Sequence, residues 1–281
     1  IADALYEYFK RNDVKKVIIW NGQQLIGRAA NLAASRAGIK VQYLELANLP
    51  EKLFSDPNGV NALSSIARDI SIIDKFPDVP DEKHQNWLHS YEFFKKNPLP
   101  QSQKKLKNTI FSAVNIILKK LLGSTCTIDI SKRKSSIFRG PTPTSKKADT
   151  IPPNEYIFLP LQVSSDTQIK LHSEYSNLEA IRFAHQESEK KGIALIVKIH
   201  PAENNPEEIN SVFEEQEKLG FYISNINTIE LLKNADSIIT INSTVGMEAL
   251  LYGKPVRTLG RCLYKEFDHA RLKKYIHHYL I

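Results

Sequence analysis

The stretch 234–260, NADSIITINSTVGMEALLYGKPVRTLG, leaves few choices of fold. Residues 237–241 form a short apolar, partly β-branched run of the kind that makes a strand buried on both faces. Asn242, Ser243 and Thr244 end it and supply side chains suited to capping a helix. The helix is expected over 245–252, with Gly253 as its left-handed stop and Pro255 opening the next strand, PVRTL. Strand, polar turn, helix and strand make a βαβ unit of a parallel sheet, and ligands of such sheets gather where the strands end. The turn offers backbone N–H groups and two hydroxyls beside the positive end of a helix dipole, which suits a phosphate or carboxylate. Glu248, one turn further in, is expected to face the same mouth and accept from a sugar hydroxyl. A well-capped helix with no ligand fits these residues too.

A second element shifts the balance. In GIALIVKIHPAE (192–203) a buried strand over 194–199 ends in His200-Pro201. A histidine there can donate to a phosphoryl or carboxylate oxygen, and the proline fixes the backbone that aims it. A third strand, 156–161, runs into Gln162 and the polar loop VSSDTQI. Three strand ends thus deliver Gln162, His200 and the Ser243-Thr244 pair.

The series FLPLQVSSDTQI, VKIHP and TINSTVGMEALLYGKPVRTLG, in this order, resembles the capsule polysaccharide biosynthesis and export proteins of the KpsS and KpsC group. Upstream, YLELANLPEKLFSDPNGVNALS resembles the segment those proteins carry after an early strand. The likeness covers most of 14–69 and 155–265.

Residues 1–11 read as a helix, 14–20 as a strand, NGQQLIGRAANLAASRAG as a helix closed by Gly38, and 39–44 as a strand ending at Glu45. This is βαβ again, without the glycine fingerprint of a dinucleotide site. The following LANLPEKLFSDPNGV reads as a loop, with Asp56-Pro57-Asn58-Gly59 as a turn. Asp56 here serves either as a turn opener or, with Glu45, as one of two carboxylates flanking a reacting sugar. The division expected is an N-terminal Rossmann-like domain over 1–100, a basic amphipathic helix and linker over 101–150, and a C-terminal Rossmann-like nucleotide-sugar-binding domain over 151–281. Two such layers facing a cleft give an α/β, GT-B-like fold. The chain opens on Ile1 inside a helix and its only methionine is Met247, so the N-terminal domain is expected to be incomplete.

The formal charge of +7 is local: residues 101–150 carry 11 basic and 2 acidic side chains. Within them, 103–122 is an amphipathic pattern with lysines at both ends and Ile110, Phe111, Val114, Ile117, Leu118 and Leu121 between them. That pattern suits an anionic membrane surface or a packed helix with solvated ends. The basic segment lacks interleaved aromatics and any nucleic-acid-binding module, so no nucleic acid partner is expected. Cys126 and Cys262, far apart and outside any CxxC spacing, point to a reducing compartment and to packing roles. No apolar run is long enough to cross a bilayer and no signal peptide opens the chain, so a cytoplasmic protein is expected, peripheral on the inner membrane if 103–122 binds there. His84 and His89, five residues apart, miss the spacing of a helical metal pair. His172 is placed near the cleft, and His185 within a helix.

The resemblance implies a retaining glycosyltransferase that moves 3-deoxy-D-manno-oct-2-ulosonic acid (Kdo) from CMP-Kdo to a glycolipid acceptor, working with the capsule export machinery. It assigns Gln162, His200, Asn242, Ser243, Thr244 and Glu248 to the donor side. Asp56 is then the preferred nucleophile and Glu45 the acid/base or acceptor anchor. CMP-Kdo enters as substrate, and neither cofactor nor metal is called for. Two other readings stay open at this stage: a GT-B transferase using a different CMP- or UDP-sugar, and a non-catalytic polysaccharide- or nucleotide-binding module of capsule export.

Overall fold

In the computed structural model residues 1–47, 49, 51–96 and 155–281 are described; 103–122, the rest of the 101–150 segment and Cys126 lie outside them. Residues 1–89 and 155–281 pack as one compact unit, which holds both sheets.

The N-terminal layer begins with α1 (Ala2–Arg11), β1 (Lys16–Trp20), α2 (Leu25–Arg36) and β2 (Lys40–Leu46). β1 and β2 pair in parallel. Phe9, Ala33 and Ala34 pack with Val17 and Val41, so the two helices cover one face of this pair. β3 (Leu53–Asp56) pairs antiparallel with β2, in the register Tyr43↔Asp56 and Leu46↔Leu53. The sequence reads these residues as loop, because the run is short and abuts a turn signal. Its outer edge is completed from far away: Leu53 and Ile281 exchange backbone hydrogen bonds of 2.9 and 3.0 Å. A turn at Asn61–Leu63, the short helices α3 (Ser65–Arg68) and α4 (Ser71–Asp74), and the longer α5 (Asp81–Lys96) follow.

The C-terminal layer contains β4 (Tyr156–Pro160), α6 (Thr167–His172), α7 (Asn177–Lys191), β5 (Ala194–Lys198), α8 (Pro206–Leu219), β6 (Tyr222–Ile223), α9 (Thr228–Asn234), β7 (Ser237–Thr240), α10 (Thr244–Leu251) and β8 (Val256–Thr258). The five strands are parallel in the order β6-β5-β4-β7-β8. Alternation along β4 fills both faces. Ile157 and Leu159 join Ala180, Ile181 and Val212 on one side, while Tyr156 and Phe158 join Leu231, Leu232 and Ala249 on the other. Each fully buried side chain of this kind contributes about 1.5–3 kcal/mol. Glycines at φ +67°, +76° and +65° (Gly192, Gly220, Gly253) stop α7, α8 and the α10 turn, where other residues would be strained.

Successive strands run outward from β4 to β6, and the chain then returns to the far side of β4 with β7. The crevice at that reversal, above the carboxyl ends of β4 and β7, is where open parallel sheets bind ligands. The last segment leaves this layer altogether. α11 (His269–Lys274) and a π-helical turn at Tyr275–Tyr279 pack on the N-terminal layer, with Arg271 making a two-pronged ion pair to Asp74 at 2.8 and 2.9 Å. Two Rossmann-like layers thus face one cleft, the GT-B-like arrangement expected of the sequence.

Candidate functional site

The cleft between the layers encloses about 320 Å³. From the C-terminal layer it is lined by Gln162, Asp166, Gln168, His200, Asn242, Ser243, Thr244 and Arg261, and from the N-terminal layer by Asn21, Glu45 and Asn61. The three strand ends singled out in the sequence therefore meet in one place.

Their side chains do different things there. Gln162 is 6% exposed and its amide is spent on Asn242: Nε2 donates to Asn242 Oδ1 at 2.9 Å, and Oε1 accepts from the Asn242 N–H at 3.1 Å. Asn242 Nδ2 in turn donates to the Gln168 carbonyl at 2.9 Å. These two residues tie the tips of β4 and β7 to the start of α6 and so set the width of the crevice. Ser243 is the N-cap of α10, its Oγ accepting from the Val245 N–H at 3.2 Å. Its carbonyl accepts from the Tyr264 hydroxyl. A Cβ at Gly246 would stand 2.6 Å from that hydroxyl oxygen, so only glycine lets Tyr264 reach the turn. Thr244, the first residue of α10, lines the cleft, and its hydroxyl has no partner among the described residues.

His200 is exposed, and its Nδ1 accepts the Ala202 N–H at 3.1 Å. That bond uses Nδ1 as its acceptor and leaves Nε2–H as the ring's donor. Arg261 donates from Nη2 to the Leu171 carbonyl at 3.0 Å, which orients the guanidinium, and the described residues give it no carboxylate partner. A helix N-terminus, a histidine donor and a guanidinium make this wall of the cleft suited to anions.

The opposite wall carries Glu45. Asn21 Nδ2 donates to its Oε1 at 2.5 Å and Asn61 Nδ2 to its Oε2 at 3.2 Å. Both asparagines hold the left-handed conformation, at φ 59° and 53°, which Asn tolerates better than most residues. Burial raises the Glu45 carboxyl above its ordinary value; the two amide donors pull it back, and the charge of Asp166 adds to the rise. Two carboxylates thus feel each other inside one cleft. Asp166 caps α6, its Oδ1 accepting from the Gln168 N–H at 2.9 Å.

Two sequence expectations find no place here. Asp56 is fully buried and is not among the residues lining the cleft. Oδ1 accepts from the Asn58 and Gly59 N–H groups and the Ser65 hydroxyl, and Oδ2 from the Ser65 N–H and the Tyr279 hydroxyl, at 2.5–3.2 Å. It pins the turn after β3 and presents no oxygen to a sugar. Glu248 is 6% exposed inside α10 and likewise does not line the cleft. Sequence reasoning missed Asn21, Asn61, Asp166 and Arg261. A signal existed for Asp166, since Asp before Thr-Gln-Ile is a helix N-cap at a strand-end loop. None existed for the asparagines, whose role appears only once β1, β2 and the Asn61 turn meet. His172 lies 4% exposed beside the cleft rather than in it, and His185 bonds the Leu219 carbonyl at 2.9 Å as a structural residue. Among the described residues no group of three or more His, Cys, Asp and Glu is arranged to hold a metal ion, and no helix is long and apolar enough to cross a membrane.

Fold and cleft define a two-layer α/β protein whose anion-gripping groups and two carboxylates, Glu45 and Asp166, line one space. The chain belongs to the capsule polysaccharide biosynthesis protein family, whose sequence profile matches residues 15–267. Over 288 residues it is 24% identical to the capsule polysaccharide export protein KpsS of Escherichia coli, an alignment covering 92% of this chain and 70% of the relative. It is 28% identical to protein FixF of Sinorhizobium fredii, spanning 95% of this chain but 54% of that one. Among solved structures it shares the fold of the β-Kdo 2,7 transferase of Thermosulfurimonas dismutans KpsC, with a TM-score of 0.54, 19% identity and coverage of 98% and 78%.

Proposed function

We propose that the protein is a retaining glycosyltransferase of capsular polysaccharide biosynthesis, moving Kdo from CMP-Kdo to a glycolipid acceptor at the cytoplasmic face of the inner membrane. The observation that carries this reading is the shared cleft, lined by Glu45 from the N-terminal layer and by Asp166, His200, Arg261 and the α10 N-terminus from the C-terminal layer. Family membership and the KpsC-like fold support it.

The donor's phosphate and sugar carboxylate sit against His200 Nε2–H, Arg261 and the Thr244 end of α10, which stabilise the charge that grows as CMP departs. Gln162 and Asn242 act through the backbone they brace, without touching the donor. Retention by double displacement needs a carboxylate nucleophile and a second carboxyl that alternates between acid and base. Asp166 is the nucleophile in this scheme: its free oxygen bonds the anomeric carbon as the C–O bond to CMP breaks, and the electron pair leaves on phosphate. Glu45, whose pKa burial raises and which is thereby a stronger base than an exposed carboxylate, then takes the proton of the acceptor hydroxyl as that oxygen displaces Asp166.

The experiment is a thermal-shift series with CMP and UDP followed by a transfer assay with CMP-Kdo. CMP at about a hundred times its Kd is expected to stabilise the protein by about 2.7 kcal/mol. Asp166→Asn and Glu45→Gln are expected to keep CMP binding and lose turnover by about a thousandfold. Full turnover by Asp166→Asn, or a protein indifferent to CMP, would sink the proposal.

A further inference from the structure

The π-helical turn near the end of the chain brings into the cleft a side chain that the proposed steps leave idle. Tyr275 is 1% exposed, yet it lines the cleft together with Glu45 and Phe54. Strand register explains the grouping. Across the β2–β3 ladder Glu45 stands opposite Phe54 and Tyr43 opposite Asp56, so these four side chains share one face of the sheet. The turn packs there through Tyr275 and Tyr279. Their rings stack with centroids 5.8 Å apart and planes at 23°, and the Phe54 ring centroid lies 6.4 and 5.6 Å from theirs. Leu280 N–H closes the turn on the Tyr275 carbonyl at 3.0 Å, the wide spacing that π-helical turns often bring to functional sites.

Two stacked phenols thus stand by two carboxylates, and the two rungs differ. Tyr279 donates to Asp56 Oδ2 at 2.5 Å, which closes its rung. The Tyr275 hydroxyl has no hydrogen-bond partner among the described residues, although Glu45 is near enough for its charge to act on the phenol. Burial raises the Tyr275 pKa above its ordinary value and the Glu45 charge adds to the rise, so the group stays a neutral O–H donor. A buried tyrosine usually has its hydroxyl satisfied. Here the space that can satisfy it is the cleft, beside a carboxylate that Asn21 and Asn61 hold in place.

We propose that Tyr275 is a specificity-determining contact, its phenol donating to a second hydroxyl of the acceptor, vicinal to the one that Glu45 deprotonates. The assignment rests on the transferase reading above and adds a rule about the substrate: the acceptor presents two neighbouring hydroxyls, one to each member of the open rung. A bond from the phenol to the reacting oxygen would occupy a lone pair that has to attack carbon, so the neighbouring hydroxyl is the one assigned. Tyr275 takes no part in the bond changes. The reacting hydroxyl gives its proton to Glu45, and its oxygen replaces Asp166 on the anomeric carbon.

The test follows Kdo from CMP-Kdo on the whole chain, with propane-1,2-diol, propane-1,3-diol and propan-1-ol as the simplest alcohols that do and do not carry a vicinal hydroxyl. Mass spectrometry reads free Kdo against each glycoside. The wild type is expected to favour the 1,2-diol about tenfold over the other two, and Tyr275→Phe to level all three. Tyr275→Phe deletes a hydroxyl that no described residue binds, so its Tm, its Kd for CMP and its rate of CMP-Kdo hydrolysis are expected to match the wild type. A wild type without that preference, or one that yields only free Kdo, overturns the contact. So does a Tyr275→Phe protein that keeps the preference, or that loses Tm, CMP binding or hydrolysis along with transfer, since a structural role would do the same. Each of these results leaves the donor reading standing. A wild type that neither binds CMP nor consumes CMP-Kdo overturns the transferase reading itself, and the assignment of Tyr275 falls with it.

Discussion

Replacing Gln162 by leucine keeps the size of a buried side chain and deletes the brace between β4 and β7. The wild-type amide makes two bonds to Asn242, at 2.9 and 3.1 Å. In Gln162→Leu the Asn242 N–H and Oδ1 both lose a partner at a position only 9% exposed. A buried polar group left unpaired costs about 1–3 kcal/mol, so the pair predicts a loss of about 2–6 kcal/mol. For a chain of this size that lowers Tm by about 5–10 °C. Urea denaturation followed by circular dichroism gives the value directly, and CMP calorimetry on the folded variant reads the accompanying loss of cleft geometry. A double-mutant cycle with Asn242→Leu sharpens the argument. The backbone N–H stays unpaired in both Gln162 variants, so the coupling isolates the Nε2–Oδ1 bond and is expected at about 1–2 kcal/mol. A Gln162→Leu protein with unchanged stability and no CMP binding would show that Gln162 is a ligand contact, and the bracing argument would fall.

Asp56→Ala strips five accepted hydrogen bonds and is expected to destabilise the fold by about 3–5 kcal/mol, while any folded fraction still binds CMP; a stable variant with normal folding and no turnover would return Asp56 to the chemistry. Asn21→Ala removes a donor that holds the Glu45 carboxyl down, so the carboxyl rises further and the acid limb of the pH–rate profile moves to higher pH; a shift to lower pH, or none, contradicts the cleft electrostatics. His84 and His277 stand 3.3 Å apart, and burial, reinforced by neighbouring positive groups (His269 and Lys273 for His84; Lys83, Lys52 and His278 for His277), lowers both rings to about 4. The unfolded chain takes up those protons near pH 6.5, so it binds more of them between about pH 4 and 6.5 and stability is lost as pH falls through that window. Urea midpoints at pH 7, 5.5 and 4.5 should decline in that order, and His277→Gln should flatten the decline.

The parallel layer was legible because its code is local. Apolar runs of strand length, Gly38 and Gly253 after helices, and Asn-Ser-Thr before α10 each fix structure within a few residues. The convergence of Gln162, His200 and Thr244 followed from one topological rule, that parallel strands end on one edge. What failed to show was whatever depends on residues far apart in sequence. Asp56 reads the same as a turn opener or a nucleophile until Tyr279 arrives to occupy its second oxygen. Gln162 and Asn242, which the sequence offers as ligand donors, spend their amides on each other because β4 and β7 are neighbours in space. Glu248 follows the cap at a helical interval, yet α10 is buried nearly all round and turns it away from the cleft.

The return of residues 269–281 to the first layer dictates an order of assembly. As the chain leaves the ribosome, β3 emerges early but has only β2 beside it, and its outer edge stays bare until Ile281 is made. Closing so long a loop has an entropic cost that grows with the logarithm of its length. The five-stranded layer can therefore finish first from its own neighbours, and residues 269–281 then lock the half that was translated before it.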